Sequence, residues 1–500
     1  MRKKTQQVFG ITDPDYALGV ESSLIRVSDR HPLYRFRGAI RADPYLSAAG
    51  REHEDFQIVL LAARKDLAEV RVEFTDLVNE SGKGKMRKEN LSWNLSREVQ
   101  TRVSYWYPAA LFGWKPDPLM EATPFHVRAG GQQPVWISLS VPPGTEPGLY
   151  KGRVLVKPKN SHPLTVSLKV RVWDYTLPLK GRFRMQGHAH PIATKKYPLP
   201  SNDIETWRNL AEVMLRYRLS PTAQYFPILS PPAEVIPFGI ERGITSILAG
   251  GYFKHLLKDK IMQRCKTLKD LGVLDRAQIY MGDEPSPPFD DLAKKSKWVR
   301  ENCPGLKIMV GGSRPRPELQ GLVDIWDPMM SMEPERNEVY GSRMEDIRAA
   351  RRRGEEVFWY EAGHRPPYPG HELDIPAIAL RMIFWVSWKY GIDGWKQFGF
   401  VGGWEHRENQ TWPDTEWNTY SWRTYNGNGQ LLYPGPGGRP RPSIRMVNIR
   451  DGIEDIESLY LLRDGLERLE TKFPRRYDRL KNEARSFLAV DERIVRNMWI

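Results

Sequence analysis

The stretch AQIYMGDEPSPPFDDLAKKSKWVRENCPGLKIMVG, residues 277–311, contains the pattern on which the fold depends. An apolar run over 277–281 is typical of a buried strand, and a polar segment containing Pro285 follows it. Apolar residues at helical spacing then predict a helix over 289–302, and a second apolar run predicts a strand over 307–311. A strand, a helix and another strand in so short a length are one unit of a parallel sheet.

The same alternation extends in both directions from this unit. Further strands are predicted over 183–187, 222–228, 244–248, 322–326, 356–360 and 394–400. Helices are predicted over 203–217, 252–271, 343–353, 376–390 and 443–466, with one more behind the last. Eight strands, nearly all followed by a helix, indicate a (β/α)8 TIM-type barrel. An open doubly wound sheet is the alternative, but no glycine-rich phosphate turn opens the first helix.

The chain before residue 178 has a different pattern. Short runs of alternating apolar residues are separated by turns rich in glycine and proline, and they predict strands over 56–61, 69–74, 135–141, 152–156 and 164–172. This pattern is typical of an all-β sandwich. We therefore expect a multi-domain protein with a β-sandwich over 1–178 and a barrel with C-terminal helices over 179–500.

Composition excludes several classes of protein. The chain of 500 residues is 40% hydrophobic and 27% charged, which argues against a disordered, fibrous or multi-span membrane protein. Two cysteines exclude a disulfide scaffold and a multi-cysteine metal site. The net charge of +14 raises nucleic acid as a partner, but the charge is spread thinly, so we expect neither nucleic acid nor membrane as a partner.

The N-terminus suggests two locations for the protein. It is basic, but no apolar run follows it. We therefore expect a cytoplasmic protein, or a secreted or periplasmic one whose leader has been removed.

The chain is rich in tryptophan, with 17 residues, eight of them within 359–422. Indole rings present rigid apolar faces that suit the C–H surfaces of sugars, and they also stack on bases. Four of the eight lie in a segment rich in glycine, asparagine and charge, where burial in a core is harder to arrange. We expect these four to line a cleft: Trp404, Trp412, Trp417 and Trp422.

Asp283 and Glu284 are the candidate catalytic residues. They follow an apolar strand and a glycine, and Pro285 biases Glu284 toward an extended backbone. A carboxylate at the end of a buried strand is costly unless it is paired or used, and the active site of a barrel lies at the C-terminal ends of its strands. The structural alternative is a strand-end cap or an ion pair.

Other polar and aromatic residues follow neighbouring strands. As candidates for binding substrate we take His188, Asp327, Tyr360, His364, Trp395, Gln397 and Trp404. Such a rim suits a neutral ligand rich in hydroxyl groups. His188 and His190 would share one side of an extended strand, but no third ligand is evident, so we expect no metal site and no cofactor.

Several motifs in order resemble glycoside hydrolase family 123. They are residues 282–285, 363–369, 375–394, 428–435 and 442–455, with 113–119 and 147–152 in the leading domain. The resemblance implies a β-sandwich followed by a (β/α)8 barrel. It also implies a retaining, exo-acting N-acetyl-β-D-galactosaminidase whose substrate supplies its own nucleophile, the 2-acetamido oxygen.

By this resemblance, Asp283 would orient the acetamido group and Glu284 would act as acid and then as base. One carboxylate must then stay charged while its neighbour starts protonated. The alternatives are a related glycosidase that acts on another glycoside, an inactive carbohydrate-binding protein, and a basic nucleic-acid-binding protein. The natural glycan, exo or endo action and the oligomeric state do not follow from the sequence.

Overall fold

A computed structural model describes most of the chain. The described residues are 2–10, 14–40, 43–102, 112–192, 196–199, 203–223, 225, 231–251, 257–330, 343–363, 368–402, 417, 419 and 425–490. They form two compact units. The first comprises Met1–Leu179 and Pro442–Glu454 with Trp417, and the second comprises Lys180–Thr411, Thr419–Arg441 and Asp455–Ile500.

The first unit contains two β-sheets and a short helix. The helix is α1 (Arg2–Phe9), and the strands are β1 (Tyr16–Ser22), β2 (Tyr45–Gly50), β3 (His53–Ala62), β4 (Leu67–Phe74), β5 (Leu77–Asn79), β6 (Lys85–Met86), β7 (Leu91–Gln100), β8 (Trp114–Met120), β9 (Phe125–Val127), β10 (Gln132–Ser140), β11 (Gly148–Lys157) and β12 (Leu164–Thr176). One sheet has the order β1-β3-β10-β7-β8, and the other has the order β2-β12-β11-β4-β9.

The apolar faces of these two sheets form one core. Along β12 every second residue from Leu164 to Val172 is buried, as the two-residue period of a strand requires. Leu18 and Ile58 of the first sheet lie in the same hydrophobic cluster as Val170 of the second. The predicted sandwich is therefore confirmed, whereas α1 lies in a region where the sequence predicts only strands.

The second unit contains an eight-stranded parallel sheet. Its strands are β13 (Arg184–His188), β14 (Pro221–Thr222), β15 (Ile247–Gly250), β16 (Ala277–Asp283), β17 (Lys307–Gly311), β18 (Ile325–Asp327), β19 (Glu356–Trp359) and β20 (Gly394–Gln397). Their order is β14-β13-β20-β19-β18-β17-β16-β15, and the end strands β14 and β15 approach each other, so the barrel is nearly closed. The predicted TIM-type barrel is confirmed.

The remaining helices are α2 (Asp203–Arg216), α3 (Ile236–Glu241), α4 (Lys258–Asp270), α5 (Asp290–Asn302), α6 (Met344–Arg352), α7 (Ile378–Tyr390), α8 (Ile444–Lys472) and α9 (Pro474–Leu488). Of the predicted strand over 222–228, the structure describes only Thr222, Ala223 and Tyr225. None of the described helices is long and apolar enough to cross a membrane.

Side chains fill the inside of the barrel. Leu248, Tyr280, Met309, Ile325 and Phe358 come from five successive strands and form one buried cluster. Such layers of inward-facing residues make the interior of a barrel a packed core. Polar groups can therefore be presented to a ligand only where the strands end.

Candidate active site

The first candidate residue, Asp283, ends strand β16. A bulge between Tyr280 and Gly282 shifts the pairing of β16 with β17, so the simple alternation of sides is broken there. The Tyr280 hydroxyl consequently reaches Asp283 and donates a hydrogen bond to its Oδ1 at 2.5 Å. A Cβ atom at Gly311 would lie 2.0 Å from the Tyr280 oxygen, so glycine at this position makes room for the contact.

The second candidate residue, Glu284, is exposed and lies just beyond the strand. Its amide N–H donates to the Gly311 carbonyl at 2.9 Å, and the Tyr360 hydroxyl donates to its Oε1 at 3.2 Å. The expectation of an extended backbone is wrong, since Glu284 has φ +46°. The bond to Gly311 supports this sparsely populated conformation.

Gly312 provides the space for Glu284. Its own φ is +65°, and a Cβ atom there would lie 2.3 Å from Cγ of Glu284. The two glycines at the end of β17 thus leave room for the two residues at the end of β16.

A buried ion pair lies beside Tyr280. Nζ of Lys396, on β20, is 3.0 Å from Oδ2 of Asp327, on β18, and 2.9 Å from the Tyr280 oxygen. Burial raises the pKa of Asp327 to about 6, although Lys396 opposes this shift. Burial opposes the charge of Lys396 as well, but Asp327 outweighs it and raises the pKa of the ammonium group. Asp327, a predicted substrate ligand, is fully buried, and its carboxylate pairs with Lys396.

The two tyrosines act as hydrogen-bond donors. Burial raises the pKa of Tyr280 well above its ordinary value, and Tyr225 and Asp283 add to the shift. Burial raises the pKa of Tyr360 in the same way, with a further contribution from Glu284. Both hydroxyls therefore stay protonated at any physiological pH and can donate to the neighbouring carboxylates.

His188 lies at the end of β13, on the same side of the barrel. Its ring is 5.0 Å from that of Tyr225 and 5.7 Å from that of His190. Burial lowers the pKa of His188 to about 3, with contributions from His190 and Lys396, so the imidazole is neutral at physiological pH. A neutral imidazole next to an aromatic ring suits an uncharged ligand.

Gln397 belongs to a second polar cluster. Its Nε2 lies 2.5 Å from Nε2 of His371, which also accepts the Gly429 N–H at 3.0 Å. Nδ1 of His371 bonds to Glu361. Burial raises the pKa of Glu361 to about 8, although hydrogen bonds with the His371 backbone and with the Glu372 side chain oppose the shift.

Within the described part of the chain, this cluster contains a group of side chains of the types that bind metal ions. Ligand atoms of Glu361, His371 and Glu372 lie within 4.8 Å of one another. Both ring nitrogens of His371 are already hydrogen-bonded, so the imidazole has no lone pair left for a cation. We therefore assign these residues to a hydrogen-bonded network. His188 and His190 are not part of it.

Of the three other predicted ligands, the structure describes only Trp395, which does not reach these carboxylates. Trp395 is fully buried and packs against Phe384 of α7, with the ring centroids 6.0 Å apart. His364 and Trp404 lie outside the described residues, as do Trp412 and Trp422. Trp417, expected to line a cleft, is buried with 7% of its surface exposed.

Sequence reasoning gave no role to Tyr280 or Lys396. The signal for Lys396 was present, because a lysine within a strand predicted to be buried must find a partner there. Tyr280 gave no such signal, since alternation along a regular strand would place Tyr280 and Asp283 on opposite sides. Only the bulge brings them together.

The fold and this arrangement of side chains define a class of protein. Two carboxylates at the end of a barrel strand, held by tyrosine hydroxyls, suit the protonation of a glycosidic oxygen and the stabilisation of the positive charge that follows. The class is a glycoside hydrolase built from a β-sandwich and a (β/α)8 barrel.

Comparison with known proteins gives the family. Residues 244–462 match the catalytic domain of glycoside hydrolase 123, and residues 50–158 match the N-terminal domain of glycoside hydrolase 123. The chain belongs to glycoside hydrolase family 123, and it is a glycosidase whose substrates are glycans. No curated protein matches the chain.

Among solved structures, the chain is similar to a family 123 glycoside hydrolase from Clostridium perfringens, described in connection with glycolipid glycan hydrolysis. The identity is 14% and the TM-score 0.68, over 94% of this chain and 91% of the other. A family 39 glycoside hydrolase from Bacteroides cellulosilyticus WH2 matches at 13% identity, with a TM-score of 0.33 and coverage of 82% of each chain.

Proposed function

We propose that this glycosidase is a retaining, exo-acting N-acetyl-β-D-galactosaminidase that uses its substrate's 2-acetamido group as the nucleophile. The observation that carries the proposal is that Asp283 and Glu284 are consecutive residues, each held by its own tyrosine hydroxyl. Ordinary retention needs an acid and a nucleophile about 5 Å apart across the scissile bond. Neighbouring residues at one strand end suit assistance by the substrate better.

Each carboxylate keeps one oxygen for the reaction. Tyr280 occupies Oδ1 of Asp283, which leaves Oδ2 to accept the acetamido N–H. This contact orients the acetamido oxygen toward the anomeric carbon and stabilises the cationic oxazolinium ring that forms. Tyr360 occupies Oε1 of Glu284, which leaves Oε2 to carry the proton.

The proposed reaction has two steps. The acetamido oxygen bonds to the anomeric carbon while Glu284 protonates the departing glycosidic oxygen. Glu284 then takes a proton from water, which attacks the same carbon and reopens the ring. Two inversions give net retention, and Glu284 ends protonated as it began. His188, which is neutral, and Tyr225 are proposed to contact the sugar.

We expect Glu284→Gln to lower kcat/KM about 10²- to 10⁴-fold on an alkyl galactosaminide, since the leaving group then lacks its proton donor. The loss should be smaller on a nitrophenyl glycoside, whose leaving group needs little help. Asp283→Asn should cost about 10²- to 10³-fold on both substrates. Glu301→Gln, an exposed residue on α5, is the control.

The requirement for the acetamido group is tested with nitrophenyl glycosides that carry or lack it. The wild type should hydrolyse nitrophenyl N-acetyl-β-D-galactosaminide and leave the galactoside, which lacks the acetamido group, nearly untouched. An N-acetyl thiazoline, which mimics the cyclised intermediate, should inhibit it. Indifference to the thiazoline would remove assistance by the substrate, and wild-type turnover by both acid variants would reject the assignment of the site.

A further inference from the structure

Lys396 is a buried cation at the base of the two tyrosines. Only 2% of its side chain is exposed, and lysine is almost never fully buried unless it is paired. Its Nζ contacts Asp327 and the Tyr280 oxygen, and it also lies 4.5 Å from the ring centre of Tyr280 and 5.3 Å from that of Tyr360. One ammonium group therefore lies within cation–π distance of both tyrosines that donate to Asp283 and Glu284.

The hydrogen bonds that link Lys396, Tyr280 and Asp283 can run in only one direction. An ammonium group has three donors and no acceptor, so the Tyr280 oxygen must accept from Lys396. The single hydroxyl hydrogen of Tyr280 must then point to Asp283, 2.5 Å away. A carboxylate that receives this hydrogen is held as an acceptor, and polarisation by the ammonium strengthens the bond.

The charge of Asp327 completes the arrangement. An isolated buried ammonium would repel the positive charge that develops on the sugar. Asp327 lies 3.0 Å from Nζ, so the ammonium and carboxylate charges largely cancel. Lys396 can then direct the Tyr280 hydroxyl without adding net positive charge to the site.

We propose that Lys396 is a positioning residue for the glycosidase reaction: through Tyr280 it holds Asp283 as an oriented hydrogen-bond acceptor. The proposal rests on the proposed function of Asp283 and Glu284. Lys396 contacts no substrate in this scheme, and its effect on the reaction passes through the Tyr280 hydroxyl.

The test is a double-mutant cycle with Tyr280→Phe, Lys396→Met and the double variant, assayed on the nitrophenyl glycoside that the wild type hydrolyses. Each single change should lower kcat/KM about 10- to 100-fold, as expected for losing a bond to a charged group. The double variant should lose at most about threefold more than the worse single variant. Additive losses would overturn the proposal.

A pH profile separates positioning from mere structural support. Loss of a hydrogen bond donated to the charged form of the site disfavours that form, so the acid limb of kcat/KM should move to higher pH in both single variants. A limb that stays in place would overturn the proposal. Lys266→Met, which breaks an exposed pair with Asp270 on α4, is the control and should match the wild type.

Folding is monitored by thermal unfolding, because Lys396→Met leaves Asp327 buried without its cation. If that variant does not fold, Lys396→Met/Asp327→Asn replaces it, since both charges are then absent. If neither folds, Tyr280→Phe decides the question, and wild-type kcat/KM with an unmoved acid limb would overturn the proposal. Asp283→Asn, which should lose activity on this substrate as well, shows separately whether the proposed function itself fails.

Discussion

Gly312 shows how a single residue determines the placement of the proposed acid. A methyl group on this residue would clash with Glu284, because its carbon would lie 2.3 Å from Cγ of the glutamate. Its φ of +65° is also unfavourable for any other residue. The position of the Glu284 carboxylate therefore depends on the absence of a side chain at residue 312.

At this scale we predict that Gly312→Ala lowers kcat/KM about 10- to 100-fold, because Glu284 must move to admit the methyl group. The backbone conformation alone should cost about 1–3 kcal/mol in the free energy of unfolding. Gly321→Ala is a matched control, since Gly321 has φ +75° and a Cβ there would meet nothing within 4 Å. The control should lose stability and keep its activity, and equal activity in both variants would contradict the prediction.

At the scale of the element, the sequence predicts strands better than the contacts between them. The apolar run over 277–281 predicts β16, and its position identifies Asp283 and Glu284 as candidates. The contact of Asp283 with Tyr280 depends on a bulge that no alternation pattern contains. The partners of Lys396 come from two other strands, β16 and β18, so its role depends on pairing that lies beyond any local pattern.

Two of the motifs that resemble the family meet in the first unit. Arg445, near the start of α8, bonds to Asp117 of β8 through Nε and Nη2, with the shortest contact at 2.8 Å. Both side chains are fully buried. The backbone N–H of Leu119 also donates to the Pro442 carbonyl at 2.9 Å. These segments, more than 300 residues apart, are therefore joined by a buried ion pair and a backbone hydrogen bond.

We predict that Arg445→Met destabilises the protein by about 3–5 kcal/mol, because it leaves the Asp117 charge buried and unpaired. Arg445→Met/Asp117→Asn should recover part of this loss, since no charge then remains. The free energies of unfolding in denaturant of the wild type, Arg445→Met, Asp117→Asn and the double variant give the coupling energy. Independent, additive losses would show that the pair is not the source of the destabilisation.

At the scale of the whole molecule, the class of fold follows from local periodicity. Alternation of strand and helix is a local property, so the barrel could be predicted, as could the sandwich from its short strands and turns. Local patterns say less about which polar groups burial brings together. No local pattern predicts that Glu361, His371 and Glu372 meet, yet the structure packs them into one buried network with Gln397.

This network gives the stability of the whole protein a distinctive dependence on pH. Burial raises the pKa of Glu361 to about 8, so between pH 6.5 and 8 the folded state retains a proton that the unfolded state has lost. Stability should therefore fall as pH rises through this window, by up to about 1.4 kcal/mol per pH unit, and level off above pH 8. Below this window His188, whose pKa is lowered to about 3, acts in the opposite sense, since its protonation favours the unfolded state.

Denaturant unfolding of Glu361→Gln at several pH values isolates this contribution. Glutamine cannot ionise, so the variant should have a flatter stability profile between pH 6.5 and 8 than the wild type, and Glu301→Gln should keep the wild-type slope. If the wild type and Glu361→Gln have the same slope, Glu361 is ionised in the folded protein.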